Sequence, residues 1–172
     1  MPEIVKLKNP SAKDLAELRD IFFESSAKKD FRDEAERENF FRKYLGHYLE
    51  NYPDYFWVAR SDRILGYMAG APVTQDPGFY ALQPHLKTFE SFFASYPAHL
   101  HVNFHADARG MGLGSKLFLE LESEFQRMKI TGVHIMTGPD SRNKSFYQRL
   151  GFNFEATLDF MGTGILFMGK SL

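Results

Sequence analysis

Residues 97–121 read PAHLHVNFHADARGMGLGSKLFLEL, and the fold follows from how this stretch divides. Leu100, Val102 and Phe104 are apolar at every second position, with His99, His101, Asn103 and His105 between them, which is the period of a β-strand. Arg109-Gly110-Met111-Gly112-Leu113-Gly114 is a glycine loop. Beyond it Leu113, Leu117, Leu121 and Phe125 recur every four residues while Glu120, Glu122 and Glu124 turn largely elsewhere, the pattern of an amphipathic helix. Glycines let a backbone approach a ligand closely because no Cβ intervenes. Main-chain N–H groups at the positive end of a helix then suit a pyrophosphate.

Three phosphate loops fit this description in outline. A Walker A loop requires Gly-Lys followed by Ser or Thr, whereas Gly114 is followed by Ser115 and then Lys116. A dinucleotide fingerprint requires a later glycine where Ser115 stands, and an acidic residue on the next strand, where Ile135, Met136 and Thr137 offer none. The third pattern, Arg/Gln-x-x-Gly-x-Gly/Ala, is filled by Arg109, Gly112 and Gly114. That loop resembles the coenzyme A pyrophosphate loop of the GNAT superfamily, the GCN5-related N-acetyltransferases.

A second segment strengthens the resemblance. Gly132-Val133-His134-Ile135-Met136-Thr137 reads as a short strand, Gly138-Pro139 turns it, and a helix is expected over Ser141 to Leu150 with Gly151 as its C-terminal cap. The ending Phe146-Tyr147-Gln148-Arg149-Leu150-Gly151-Phe152 is similar to the second GNAT signature. Asn143 and Tyr147 are four apart and share a helix face. Asp140 and Asn143 are offset from the usual asparagine of that signature, which leaves open which of them bonds the pantetheine arm.

Length and composition are compatible with this. At 172 residues the chain is expected to form one domain with a proper core. Hydrophobic residues make up 44% and charged residues 25%, ordinary for a globular protein, and aromatics reach 16%, which favours a dense core. A formal charge of -1 provides no global field towards nucleic acid or membrane. The chain has no cysteine, which excludes disulfides, thiolate catalysis and zinc–thiolate sites and fits a reducing cytoplasm. No signal peptide is legible, and no apolar run approaches the ~20 residues of a spanning helix. A cytoplasmic location is the expectation.

Outward from the two signatures, Ile4 to Lys8 reads as an opening strand. Ser11 caps a first helix, with Asp14 three residues on and Leu15, Leu18 and Phe22 as its stripe. Ser25 to Asp33 reads as a turn. A second helix is expected over Glu34 to Asn51, with Phe40, Phe41, Tyr44, Leu45, Tyr48 and Leu49 as a broad face that serves the core or lines an acceptor groove. Tyr55 to Arg60 and Ile64 to Ala69 form a hairpin across Ser61-Asp62-Arg63. Gly70 to Tyr96 is punctuated by Pro72, Pro77, Gly78 and Pro84, with a short helix around Leu86, Phe89, Phe92 and Phe93. Asn153 to Leu158 and Gly164 to Met168 are the final strands.

The resemblance runs over almost the whole chain. It implies an α/β (α+β mixed-sheet) acyl-CoA N-acyltransferase fold, a central twisted mixed sheet with helices on both faces and parallel fourth and fifth strands. It implies acetyl-CoA as cosubstrate and an amine, small-molecule or protein, as acceptor. Nucleic acid and membrane are not expected partners; a homodimer through edge strands is compatible. The cofactor-binding set it implies is Val102, Asn103, Phe104, Arg109, Gly110, Met111, Gly112, Leu113, Gly114, Ser115, Asn143 and Tyr147, with Lys116, Arg142, Lys144 and Arg149 suited to the phosphates.

Moving an acyl group from a thioester to an amine calls for an oxyanion donor, a base and an acid. The main-chain N–H groups of Asn103 and Phe104 are the candidate donors. Tyr147 is the candidate acid, because a phenol with a pKa of about 10 is protonated at neutral pH. His101 or His105 is the candidate base, with a water chain as the alternative. His99, His101 and His105 permit two metal ligands by spacing, but no carboxylate cluster completes a site, and no metal is expected. The alternative to an enzyme is a GNAT-like module that binds acyl-CoA without transferring the acyl group.

Overall fold

A computed structural model describes residues 1–172. Its strands form one seven-stranded mixed sheet in the order β1-β2-β3-β4-β5-β7-β6, with helices on both sides, as expected. The chain divides into two compact units, residues 1–70 with 101–121, and residues 71–100 with 122–172.

The first unit opens with β1 (Glu3–Lys6), which begins and ends before the expected Ile4–Lys8. The helix α1 (Ala12–Ser25) starts at the predicted cap: Ser11 and Asp14 make a reciprocal capping box. Leu18, Ile21 and Phe22 form its buried stripe. The expected single helix over 34–51 is α2 (Glu34–Phe41), a π-helical stretch (Arg42–Gly46) and α3 (His47–Asn51). Its apolar face splits: Phe41, Leu45 and Tyr48 are core, whereas Phe40, Tyr44 and Leu49 are half-buried. The hairpin of β2 (Phe56–Arg60) and β3 (Ile64–Ala71) forms as predicted, with an irregularity at Ala59/Arg60.

Residues of the second unit begin with α4 (Pro77–Leu82), capped by Asp76, and a 3-10 stretch (Pro84–Phe92) in place of the expected short helix. β4 (Ala98–Phe104) starts here and pairs in parallel with β5 (Gly132–Thr137) at Ala98–Val133 and His99–His134. β6 (Phe154–Phe160) and β7 (Thr163–Ser171) make a hairpin longer than its sequence pattern, and β7 pairs antiparallel with β5.

The alternation places His99 and Leu100 on opposite faces of β4, and both are buried, at 7% and 6% exposed. The beginning of β4 is covered on both faces, as central parallel strands are. His99 accordingly meets the Phe79 ring edge-on at 4.5 Å and the Thr74 hydroxyl at 2.8 Å.

Candidate active site

In the first unit, the last residues of β4 run into a short 3-10 turn (Ala106–Ala108), the glycine loop and then α5 (Leu113–Arg127). Leu113, Leu117 and Leu121 are buried at the predicted spacing, which sets the start of α5 firmly in this unit. Gly110 and Gly112 have φ of 79° and 73°, and a Cβ built at either would meet nothing within 4 Å. The two residues therefore supply the left-handed turns that glycine tolerates, and the space before them is open. The first intrahelical bond runs from Lys116 N to Gly112 O at 3.4 Å, so the N–H groups of Leu113, Gly114 and Ser115 have no acceptor within the helix. An anion placed there meets unpaired donors and the positive end of the helix dipole. Met111 projects from the loop at 52% exposure. A pyrophosphate fits this cradle.

Arg109, the first residue of the motif, donates from Nη2 to the carbonyl of Phe104 at 3.3 Å. Ser25 Oγ donates to the same carbonyl at 3.2 Å. The Phe104 ring in turn lies over Gly66, where any Cβ would overlap it. The strand end that precedes the loop is thus held by α1, by β3 and by the loop itself, and Val102, Asn103 and Phe104 are all half-buried.

The two candidate bases sit in different surroundings. Asn103 Nδ2 donates to His101 Nε2 at 3.1 Å and to the hydroxyl of Tyr67 at 2.8 Å. The His101 ring also packs against Tyr67 at 5.8 Å and Phe22 at 6.2 Å. This enclosure pushes the His101 pKa down to about 4, so the ring is neutral at pH 7. Burial likewise raises the pKa of Tyr67. His105 instead faces a carboxylate: its Nδ1 lies 2.5 Å from Glu24 Oε2, while the other Glu24 oxygen accepts the Ala106 N–H at 2.9 Å. Those two bonds, the Ala106 N–H first and His105 second, hold the Glu24 carboxyl below the usual range.

The second unit carries the other signature. β5 ends at Thr137, and Thr137 Oγ1 and Ser141 Oγ donate to Asn143 Oδ1 at 3.1 and 2.7 Å. Residues 138–143 form local turns through Ser141 N to Gly138 O and Lys144 N to Ser141 O, so α6 (Lys144–Arg149) begins three residues later than predicted. Gly151 has the expected positive φ of 93°. Tyr147 is 5% exposed and packs against Phe146 and Phe152, with ring centroids at 5.1 and 5.5 Å. Burial raises its pKa, which keeps the phenol protonated. Lys144 is paired with Glu155 at 2.7 Å.

Glu24 and Tyr67 were not singled out from the sequence. A carboxylate in the last turn of a helix opposes the dipole. That anomaly at Glu24 was the available signal; Tyr67 looked like any inward residue of a hairpin.

Residues 53–154 match the acetyltransferase (GNAT) domain family. Among solved structures, SsHAT superposes with a TM-score of 0.75 at 19% identity, covering 99% of this chain and 98% of that one. PaiA N-acetyltransferase from Thermoplasma acidophilum, in complex with coenzyme A, gives 0.63 at 20% identity over 100% and 99% of the two chains. A ribosomal-protein-alanine N-acetyltransferase from Brucella melitensis gives 0.62 at 21% identity over 99% of each. These likenesses concern the fold. The family match spans more than half of the chain, and on that ground the chain belongs to the GNAT acetyltransferase family and is an acyltransferase.

Proposed function

We propose that this chain acts as a single N-acetyltransferase domain, moving the acetyl group of acetyl-CoA directly to a primary amine. The observation that carries the reading is the loop before α5, where two glycines at positive φ face open space beside unpaired main-chain donors. PaiA of this fold was crystallised with coenzyme A, which supports the same cosubstrate here.

Bound acetyl-CoA supplies an activated thioester. The N–H groups of residues 110–115 grip its pyrophosphate, with Lys116, Arg142 and Arg149 available to its phosphates and Lys144 reaching them only by leaving Glu155. Val102, Asn103 and Phe104 line the acyl arm, and the main-chain N–H of Asn103 or Phe104 stabilises the oxyanion. Fixing the thioester in this way removes entropic cost, an effect worth several kcal/mol, roughly 7 or more in well-aligned systems. His101 or His105 takes the proton of the attacking amine. Asn143 bonds the pantetheine arm, and Tyr147, buried and protonated, gives its proton to the departing thiolate. With no cysteine in the chain, no thioester-linked acyl-enzyme forms, and transfer proceeds within one ternary complex.

Calorimetric titration with acetyl-CoA, desulfo-CoA and NAD tests the loop assignment. Binding of both CoA ligands and not of NAD is expected; a folded sample that binds neither CoA ligand overturns it. Release of CoA thiol in the presence of a panel of small amines and peptides then separates an enzyme from a module that only binds. The acceptor is an amine-bearing small molecule or protein, and a cytoplasmic site of action accords with the lack of any cysteine; no helix of the structure is long and apolar enough to cross a membrane.

A further inference from the structure

We propose that Glu24 is a positioning residue that makes His105, rather than His101, the proton acceptor of the transfer; this rests on the acetyltransferase reading above. Glu24 is an ionised acceptor with both oxygens engaged, one by the Ala106 N–H and one by His105 Nδ1. An acceptor at Nδ1 fixes the proton on that nitrogen, and the lone pair of the neutral ring is then on Nε2. His101 is arranged the opposite way. The donor Asn103 Nδ2 occupies the lone pair at His101 Nε2.

The charged groups around His105 are accounted for on each neighbouring element. Glu24 comes from α1, and Arg109 of the loop acts on that carboxylate. Asp107 is turned to Arg63 of the β2–β3 hairpin at 2.6 Å. Glu24 is therefore the charge that directs the ring. The His105 side chain is 13% exposed and follows directly on Phe104, whose N–H is a proposed oxyanion donor.

The amine nitrogen bonds the carbonyl carbon, and its proton passes to Nε2 of His105, directly or through one water. The carbon–sulfur bond breaks, the acetyl group stays on nitrogen, and the thiolate leaves after taking a proton from the acid. Glu24 touches no substrate; its side chain is 40% exposed, and it holds the tautomer and orientation of the ring through its bonds to His105 Nδ1 and the Ala106 N–H.

Glu24→Gln separates this role from a bracing one. The glutamine oxygen can still accept the Ala106 N–H, but its amide donates to Nδ1 and so drives the ring proton to Nε2. We expect kcat to fall about 100-fold while the acetyl-CoA Kd stays within about twofold. His105→Gln should show the same split. The double variant should lose nothing beyond His105→Gln alone, because Glu24 acts only through His105. Ring nitrogen NMR should show His105 changing from the Nδ1–H to the Nε2–H form in Glu24→Gln, a signature that needs no turnover.

An active wild type whose Glu24→Gln variant keeps its kcat, or loses only CoA affinity, overturns this proposal and leaves the enzyme reading standing. A further loss in the double variant overturns it as well, as does an unchanged tautomer. A wild type that binds acetyl-CoA but transfers to no amine overturns the functional reading and this proposal with it.

Discussion

The glycine loop and the Thr137–Gly151 segment both resemble signatures of one family, yet they present different parts of the chain. The loop presents backbone: Gly110 and Gly112 at positive φ, open space before them, and the first N–H groups of α5. Thr137–Gly151 presents side chains: the Thr137–Asn143–Ser141 cluster and the enclosed phenol of Tyr147. A backbone site tolerates many neighbours but no Cβ, whereas a side-chain site tolerates backbone shifts but not the loss of one functional group.

The largest effect should come from breaking the backbone site. In Gly112→Val a β-branched residue is forced to positive φ and fills the cradle, and acetyl-CoA affinity should drop by about 1,000-fold in calorimetry with the circular dichroism spectrum retained. Unchanged affinity would mean that the loop does not hold the pyrophosphate. On the side-chain segment, Tyr147→Phe should lower kcat about 100-fold and leave the acetyl-CoA Kd within about twofold. Equal loss in kcat and affinity would assign Tyr147 to packing instead.

The strand that leads into the side-chain segment carries its own pH dependence. His134 on β5 is 1% exposed, stacked between Phe93 and Phe167 and bonded through Nδ1 to the Tyr96 carbonyl at 2.7 Å. Burial lowers its pKa to about 4, the carbonyl bond opposing. The unfolded chain, with a histidine pKa of about 6.5, thus binds more protons than the folded one between those values. Its contribution is present in full above pH 6.5 and is lost as pH falls towards 4. Urea denaturation at pH 7 and pH 5 should differ by about 2 kcal/mol from this group, with His101, lowered the same way, adding in the same direction. Flat stability across that interval would mean that His134 takes up its proton without unfolding.

The smallest effect is expected at Asn143. Its Oδ1 is already shared between Thr137 and Ser141, and the residue is exposed. Asn143→Ala should raise the acetyl-CoA KM about threefold, read from initial rates, with kcat nearly unchanged. A loss as large as that of Gly112→Val would erase the distinction between the two segments.

What could be read from the sequence tracks this same distinction. The loop was legible because glycine spacing is a local signal, and α5 because Leu113, Leu117 and Leu121 are buried at their period. The cap of α1 and the β2–β3 hairpin were legible for the same reason. The start of α6 was not: Ser141 and Asn143 bond one another and turn the chain before a helix can begin. The burial of His99 depends on Phe79 and Thr74, which no alternation pattern reports. The contrast between His101 and His105 is set by Asn103 and by Glu24, and Glu24 is 81 positions away in the chain.

That last separation bears on where the protein can be cut. The match to the family's domain begins at residue 53, but the carboxylate facing His105 stands at residue 24, and Ser25 secures the Phe104 carbonyl from the same helix. A fragment trimmed to residues 53–154 would keep every glycine of the loop and yet part with both fastenings, together with β1 and β7. The stretch that matches the family's domain is therefore shorter than the stretch that fastens its own loop in place.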